Sequence, residues 1–156
     1  MSQLDDPAKR RILQALQANG RLSNQELAEQ VSLSASPCWR RVKELEQSGI
    51  IRRYAAILDP EMAGAGICVF TQINIEKHKG DMLADLEARV RARPEILECY
   101  AITGDADFII KVQVADIKAY DRLLQEFIFQ IPGVSHVKSN FTLREIKYET
   151  ALPLPE

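Results

Sequence analysis

Arg40, Arg41 and Lys43 are the residues of this 156-residue chain whose chemistry is most readily interpreted. They cluster in the run SASPCWRRVKELEQ, residues 34–47. Ammonium and guanidinium groups complement phosphate oxygens, and the planar guanidinium also matches the paired acceptors on the edge of guanine. Cys38, Val42 and Leu45 recur at helical spacing. They predict a helix whose apolar stripe faces inward while the basic residues point largely outward. Ser34 or Ser36 can cap its start, Pro37 fits its first turn and Gly49 its end. Basic residues alone would describe an ordinary solvated helix face. The preceding segment changes that reading. Ser23 and Glu26 form a capping box that opens a second helix, with Leu27, Ala28 and Val31 on one face. Ser32-Leu33 leaves room only for a tight turn. Two short capped helices, the second basic, form the arrangement that sets one helix in the major groove of DNA.

A further helix is predicted from Pro7 to Ala18, capped by Asp6, with Ile12, Leu13 and Leu16 inward and Asn19-Gly20 at its end. Three helices within about fifty residues make a thin core, which calls for support from elsewhere. Ile50 to Leu58 is β-prone, and Asp59-Pro60 breaks it. This stretch reads as an extended connector, with Gly64 and Gly66 as joints.

The second half changes character. Ile67, Val69, Thr71, Ile73 and Ile75 lie two apart and predict a strand with one buried face. Met82, Leu83, Leu86 and Val90 mark a helix ended before Pro94. Leu97 to Thr103 reads as a second strand and Gly104-Asp105-Ala106 as a turn. Phe108, Ile110, Val112 and Val114 alternate as a third strand. Asp116 caps a helix that turns Tyr120, Leu123, Leu124, Phe127 and Ile131 inward, and Val134 to Tyr148 gives a long or bent fourth strand. The order βαββαβ implies a four-stranded antiparallel sheet with both helices on one face. A second subunit is the economical cover for the other face. The expected fold class is therefore α+β, a three-helix helix-turn-helix domain followed by a ferredoxin-like domain. The expected boundaries are 1–50 for the first domain, 51–64 for the connector and 65–156 for the second domain.

The net charge of −2 hides an asymmetry. Residues 1–60 carry nine Lys and Arg against seven Asp and Glu, whereas residues 61–156 carry eleven against fifteen. Phosphate attraction depends on where the positive charge sits, so the weakly basic first part is the expected nucleic-acid partner, with several heads acting together. Three widely spaced cysteines, Cys38, Cys68 and Cys99, suit reduced, buried thiols rather than a disulfide frame or a metal site. His78 and His136 are isolated and read as surface or packing residues. No apolar run reaches membrane-span length and no secretory signal is visible, so a cytoplasmic location is expected.

The residues IL at 12–13, NGR at 19–21, SNQELAEQV at 23–31, LSASPCWRRVKELEQSGII at 33–51, LDP at 58–60, TGDADFIIKV at 103–112 and IPGV at 131–134 run in order along nearly the whole chain. Together with Tyr54 they resemble the Lrp/AsnC, or feast/famine, family of transcription regulators. The resemblance implies a DNA-binding first domain and a second domain of the RAM (amino-acid-metabolism regulatory) fold that dimerises through its sheet. It further implies assembly into tetramers, octamers or similar discs, and an amino-acid effector near the turn between strands two and three. Carried onto this chain, it places Ser34, Ser36, Pro37, Arg40, Arg41 and Lys43 at the DNA. It places Thr103, Gly104, Asp105, Ala106 and Asp107 at the effector, with Asn140 and Thr142 on the last strand as further candidates. A carboxylate there can pair with an α-amino group, and backbone N–H groups can take the α-carboxylate. The same Gly and Asp residues also suit a plain hairpin turn. Apolar residues around the last strand suit leucine or methionine. The chain departs from the family pattern at Ser32, Lys9 and Arg53, where glycine, an acidic residue and glycine are usual.

The function expected is a sequence-specific DNA-binding regulator whose binding or assembly responds to an amino acid, with an architectural DNA-organising protein of the same shape as the alternative. An enzyme is not expected. There is no glycine-rich phosphate loop, no metal-ligand cluster and no placed nucleophile–base pair, so neither metal nor cofactor is called for.

Overall fold

The computed structural model describes residues 3–76 and 80–155, with side chains from Leu4 onward and not for 80–83. His78 lies outside the described residues, as do the side chains of Met82 and Leu83. The chain divides into two compact units, Met1–Ile57 together with Lys147–Glu156, and Leu58–Ile146.

In the first unit, a short 3₁₀ turn at Gln3–Asp5 precedes three helices: α1 (Pro7–Ala18), α2 (Asn24–Gln30) and α3 (Ala35–Gln47). Asp6 caps α1, its side chain accepting from the Ala8 amide, and Pro7 occupies the first position, where a missing N–H is no loss. Ser23 and Glu26 close the capping box at α2 in both directions. Each helix buries one stripe: Ile12 and Leu13 from α1, Leu27 and Ala28 from α2, and Cys38, Val42 and Leu45 from α3 meet in a single cluster with Val31. Ser32 is the one non-glycine residue with positive φ among the described residues, at +56°. The turn therefore needs the left-handed backbone for which glycine is usual. Gly49, at φ +76°, ends α3 as its spacing predicts.

The second unit orders its elements as β1 (Ile67–Ile75), α4 (Gly80–Arg91), β2 (Ile96–Ala101), β3 (Phe108–Val114), α5 (Ile117–Glu126) and β4 (Val134–Phe141), with a short 3₁₀ turn at Ile128–Gln130. The sheet order is β2-β3-β1-β4 and every pairing is antiparallel. Alternation along β1 sends Val69, Thr71, Ile73 and Ile75 inward, and β3 sends Ile110, Val112 and Val114 to the same side. Leu86 and Val90 of α4 and Tyr120 and Leu123 of α5 pack on that face, so both helices cover one side of the sheet. A buried hydroxyl chain runs through this core: the Tyr120 hydroxyl lies 2.7 Å from Thr71 Oγ1 and 2.6 Å from Ser139 Oγ. It joins α5 to two neighbouring strands. The opposite face of β1 presents Cys68, Phe70, Gln72 and Asn74.

Four expectations change. The fourth strand ends at Phe141, and residues 142–155 have no regular structure. The expected second domain, 65–156, loses its last ten residues to the first unit. The Gln17 side-chain amide donates to the Leu152 carbonyl at 3.1 Å and its oxygen accepts the Leu152 amide at 2.6 Å, while Leu154 packs on the helical core. The connector is divided as well, because Ile51 joins the helical core and the Tyr54 hydroxyl donates to Glu46 at 3.2 Å. Of the three free cysteines, Cys38 is buried as expected but Cys99 is exposed, because β2 is an edge strand of the sheet. No helix among the described residues is long and apolar enough to cross a membrane.

Replacing Ser32 by Gly should remove left-handed strain and so stabilise the helical unit. After the entropy cost of glycine the gain is about 0.5–1 kcal/mol, read as a higher midpoint in thermal melting.

Candidate nucleic-acid interface and ligand turn

Helix α3 carries the candidate interface because its buried stripe fixes its rotation. At about 100° per residue, Arg40 falls about 160° from Cys38, whereas Arg41 falls only about 60° away. The structure follows that geometry. The Arg40 side chain is 69% exposed, and its nearest carboxylate is Glu44 at 3.8 Å. Arg41 is 23% exposed and its Nε donates to Asp6 at 3.0 Å. Its Nη1 donates to the Pro37 carbonyl at 3.3 Å. The sequence reading turned both arginines outward; only Arg40 is so placed. Lys43 pairs with Glu46 at 2.8 Å and lies 5.9 Å from the centre of the exposed Trp39 ring. Its ammonium holds the Glu46 carboxyl below the usual carboxylate range.

The start of α3 is open to water. Ser34 is the N-cap, but its side chain makes no capping bond. Pro37 stands at the third helical position, where a capping hydroxyl would otherwise find an N–H. Ser34 and Ser36 are exposed, and Pro37 is half-buried behind them. Hydroxyls and first-turn amides of this kind suit phosphate oxygens, and the helix dipole reinforces them.

The second candidate region is the turn between β2 and β3. Thr103, Gly104 and Asp105 are exposed, Gly104 at φ +115°, and Ala106 is buried. Asp107 is built into the sheet: its carboxylate accepts the Ile75 amide at 2.8 Å, and its own amide donates to Ile73 at 3.1 Å. Asn74, which the sequence reading did not single out, donates its side-chain amide to the Asp105 carbonyl at 2.7 Å. The only sequence signal for it is its place, out of phase with the buried residues of β1. Asn140 and Thr142 lie elsewhere. Asn140 donates to Phe70 and Thr142 to Cys68, near the opposite end of β1 from the turn. One copy of the chain does not bring these two groups together. Among the described residues no group of three or more His, Cys, Asp or Glu side chains gathers that could hold a metal ion.

A helical pair with an exposed basic second helix, joined to a separate βαββαβ unit, defines a two-part DNA-binding regulator. Comparison with known families agrees on both parts. Residues 5–52 match a winged helix-turn-helix DNA-binding model, and residues 68–152 match the Lrp/AsnC ligand binding domain. The chain belongs to the Lrp/AsnC family of transcriptional regulators, whose members are not enzymes. It is 39% identical to the DNA-binding transcriptional activator DecR of Escherichia coli, covering 96% of this chain and 98% of that one. It is 37% identical to the leucine-responsive regulatory protein of Salmonella typhimurium, covering 94% and 90%. A solved transcriptional regulator from Neisseria meningitidis, NMB0573 in complex with L-Met, superposes with a TM-score of 0.90 at 44% identity, covering 96% of both chains.

Asp107→Ala should destabilise the second unit by about 1–3 kcal/mol, because it strands the buried end of β1 without its acceptor. Asp105→Ala, at an exposed position, should leave the denaturation midpoint within about 0.5 kcal/mol of the parent.

Proposed function

We propose that this chain regulates transcription by setting α3 in the major groove of duplex DNA, and that a small amino acid modulates that binding. The observation that carries the DNA half is the orientation of α3, which buries Cys38, Val42 and Leu45 and leaves Arg40 facing water. Arg40 is the reading side chain. Lys43 and the exposed start of the helix at Ser34, Ser36 and Pro37 meet the phosphates.

The effector half rests on the relatives. One is named for its response to leucine and another was solved with L-Met, so an apolar amino acid of that class is the proposed ligand. Its polar end meets the exposed backbone and side chains of Thr103, Gly104 and Asp105, while Asp107 and Ala106 shape the turn from within. Asn140 and Thr142 join the same ligand only where two copies of the chain meet. The sheet face opposite α4 and α5, with Phe70 and Tyr100 exposed on it, is the proposed dimer surface. Tetramers or octamers then bring further heads to one stretch of DNA. The proposed site of action is the cytoplasm.

Two experiments test this reading. A duplex selected by the protein from a random-sequence pool should lose about 1–3 kcal/mol of affinity on Arg40→Ala in a fluorescence titration, and unchanged affinity would remove Arg40 from the interface. A thermal-shift screen of the twenty amino acids should show one that stabilises the chain by about 2.7 kcal/mol at 100 times its Kd. Silence across the whole panel would favour an architectural DNA-organising role without an effector.

A further inference from the structure

Asp6 and Arg41 do more than start one helix and decorate another. The two carboxylate oxygens of Asp6 are divided between elements. Oδ1 accepts the Ala8 amide at 2.8 Å and so caps α1, while Oδ2 accepts Arg41 Nε of α3 at 3.0 Å. Burial pushes the Asp6 carboxyl up, but the Ala8 amide and the Arg41 guanidinium outweigh it and hold it below the usual carboxylate range. Three residues on along both helices, Lys9 Nζ meets Glu44 Oε2 at 2.7 Å. The lysine that departs from the acidic family pattern is thus paired across the same helix contact. Glu44 also faces Arg40 at 3.8 Å, so the second rung touches the reading side chain.

Partly solvated ion pairs of this kind add only modestly to stability, because solvent still screens them and ordering long side chains costs entropy. Their geometric effect is larger. The apolar stripe decides which face of α3 is buried, but hydrophobic contact is non-directional, so the last few tens of degrees of roll are set by directional polar contacts at its flank. A roll of about 20° moves the rim of a helix of roughly 5–6 Å radius by about 2 Å. That distance is several times the roughly 0.5 Å spread of a good N–H···O hydrogen bond, and so enough to break a bidentate arginine–base contact.

Building on the groove-binding reading above, we propose that Asp6 and Arg41 are positioning residues for DNA recognition: their ion pair locks the roll of α3 against α1 and so aims Arg40, and Arg41 itself makes no DNA contact.

The test compares Asp6→Asn, Arg41→Ala, the double variant and Arg40→Ala on two fluorescent duplexes, one selected from a random pool by the unaltered protein and one scrambled. Asparagine caps helices as well as aspartate does, so Asp6→Asn keeps the start of α1, and circular dichroism at the assay temperature confirms that each variant is folded. Asp6→Asn and Arg41→Ala should each weaken binding to the selected duplex about tenfold and narrow the ratio of selected to scrambled affinity, and the double variant should be no weaker than either. The plot of log affinity against log salt should keep its slope in both, whereas Arg40→Ala should flatten it by about 0.9 if that arginine also meets a phosphate. The opposite sign overturns the proposal. If Arg41 touched DNA directly, Asp6→Asn would release it and leave affinity unchanged or higher, and Arg41→Ala would flatten the slope. A lower melting temperature with an unchanged selectivity ratio would reduce the pair to a structural contact and equally overturn it. Failure of the unaltered protein to bind either duplex at low salt would instead defeat the groove-binding reading, and the positioning role would fall with it.

Discussion

A helix can present to a partner only the face that it does not bury. That constraint governs the first unit of this protein. The stripe formed by Cys38, Val42 and Leu45 is drawn out of water by Ile12, Leu13, Leu27 and Ala28, and everything else about α3 follows from its burial. It sends Arg40 outward, holds Arg41 at the flank within reach of Asp6, and leaves the first turn open beyond Ser34. The turn before it must reverse the chain in very few residues, which is why Ser32 accepts a left-handed backbone. The strain at one residue is the cost of bringing two short helices close enough to bury a common core.

The second unit is organised by a different periodicity to a similar end. Residues two apart on β1 and β3 give the sheet one apolar side, and α4 and α5 cover it. The buried chain from Thr71 through Tyr120 to Ser139 adds direction to an otherwise non-directional core. Only one placement of α5 lets the Tyr120 hydroxyl meet both partners, so the network specifies where that helix sits. The other side of the sheet mixes polar residues such as Gln72 and Asn74 with exposed aromatic ones, Phe70 and Tyr100.

Much of this was legible in the sequence, because helices and strands announce themselves through local spacing. The bounds of α1, the capping box at Ser23 and the inward residues of β1 and β3 all follow from neighbours within four positions. What escaped depends on pairs far apart in the chain. The Asp107 carboxylate binds an amide 32 residues earlier, so a residue that reads as part of an exposed turn is a fixture of the sheet. The exposure of Cys99 depends on the order of strands, which periodicity does not encode. Asn140 and Thr142 could be separated from the turn only once the register of β4 on β1 was known. Arg41 is the instructive exception. Its distance around the helix from Cys38 was available from counting alone, and an arginine at the flank of a buried stripe, facing the acidic cap of another helix, is better placed to brace than to read.

The docking of residues near 152 onto α1 has a consequence for how the molecule is made. Gln17 meets Leu152 across 135 positions of sequence, and Leu154 supplies apolar cover to a core otherwise drawn from the first 51 residues. On the ribosome the three helices emerge early, yet they stay without that cover until the polypeptide has been translated past Leu154. The helical unit therefore completes its apolar cover only after residues 152–154 have been made and can fold back onto α1, so its core closes through a contact of long sequence separation rather than from its own three helices alone.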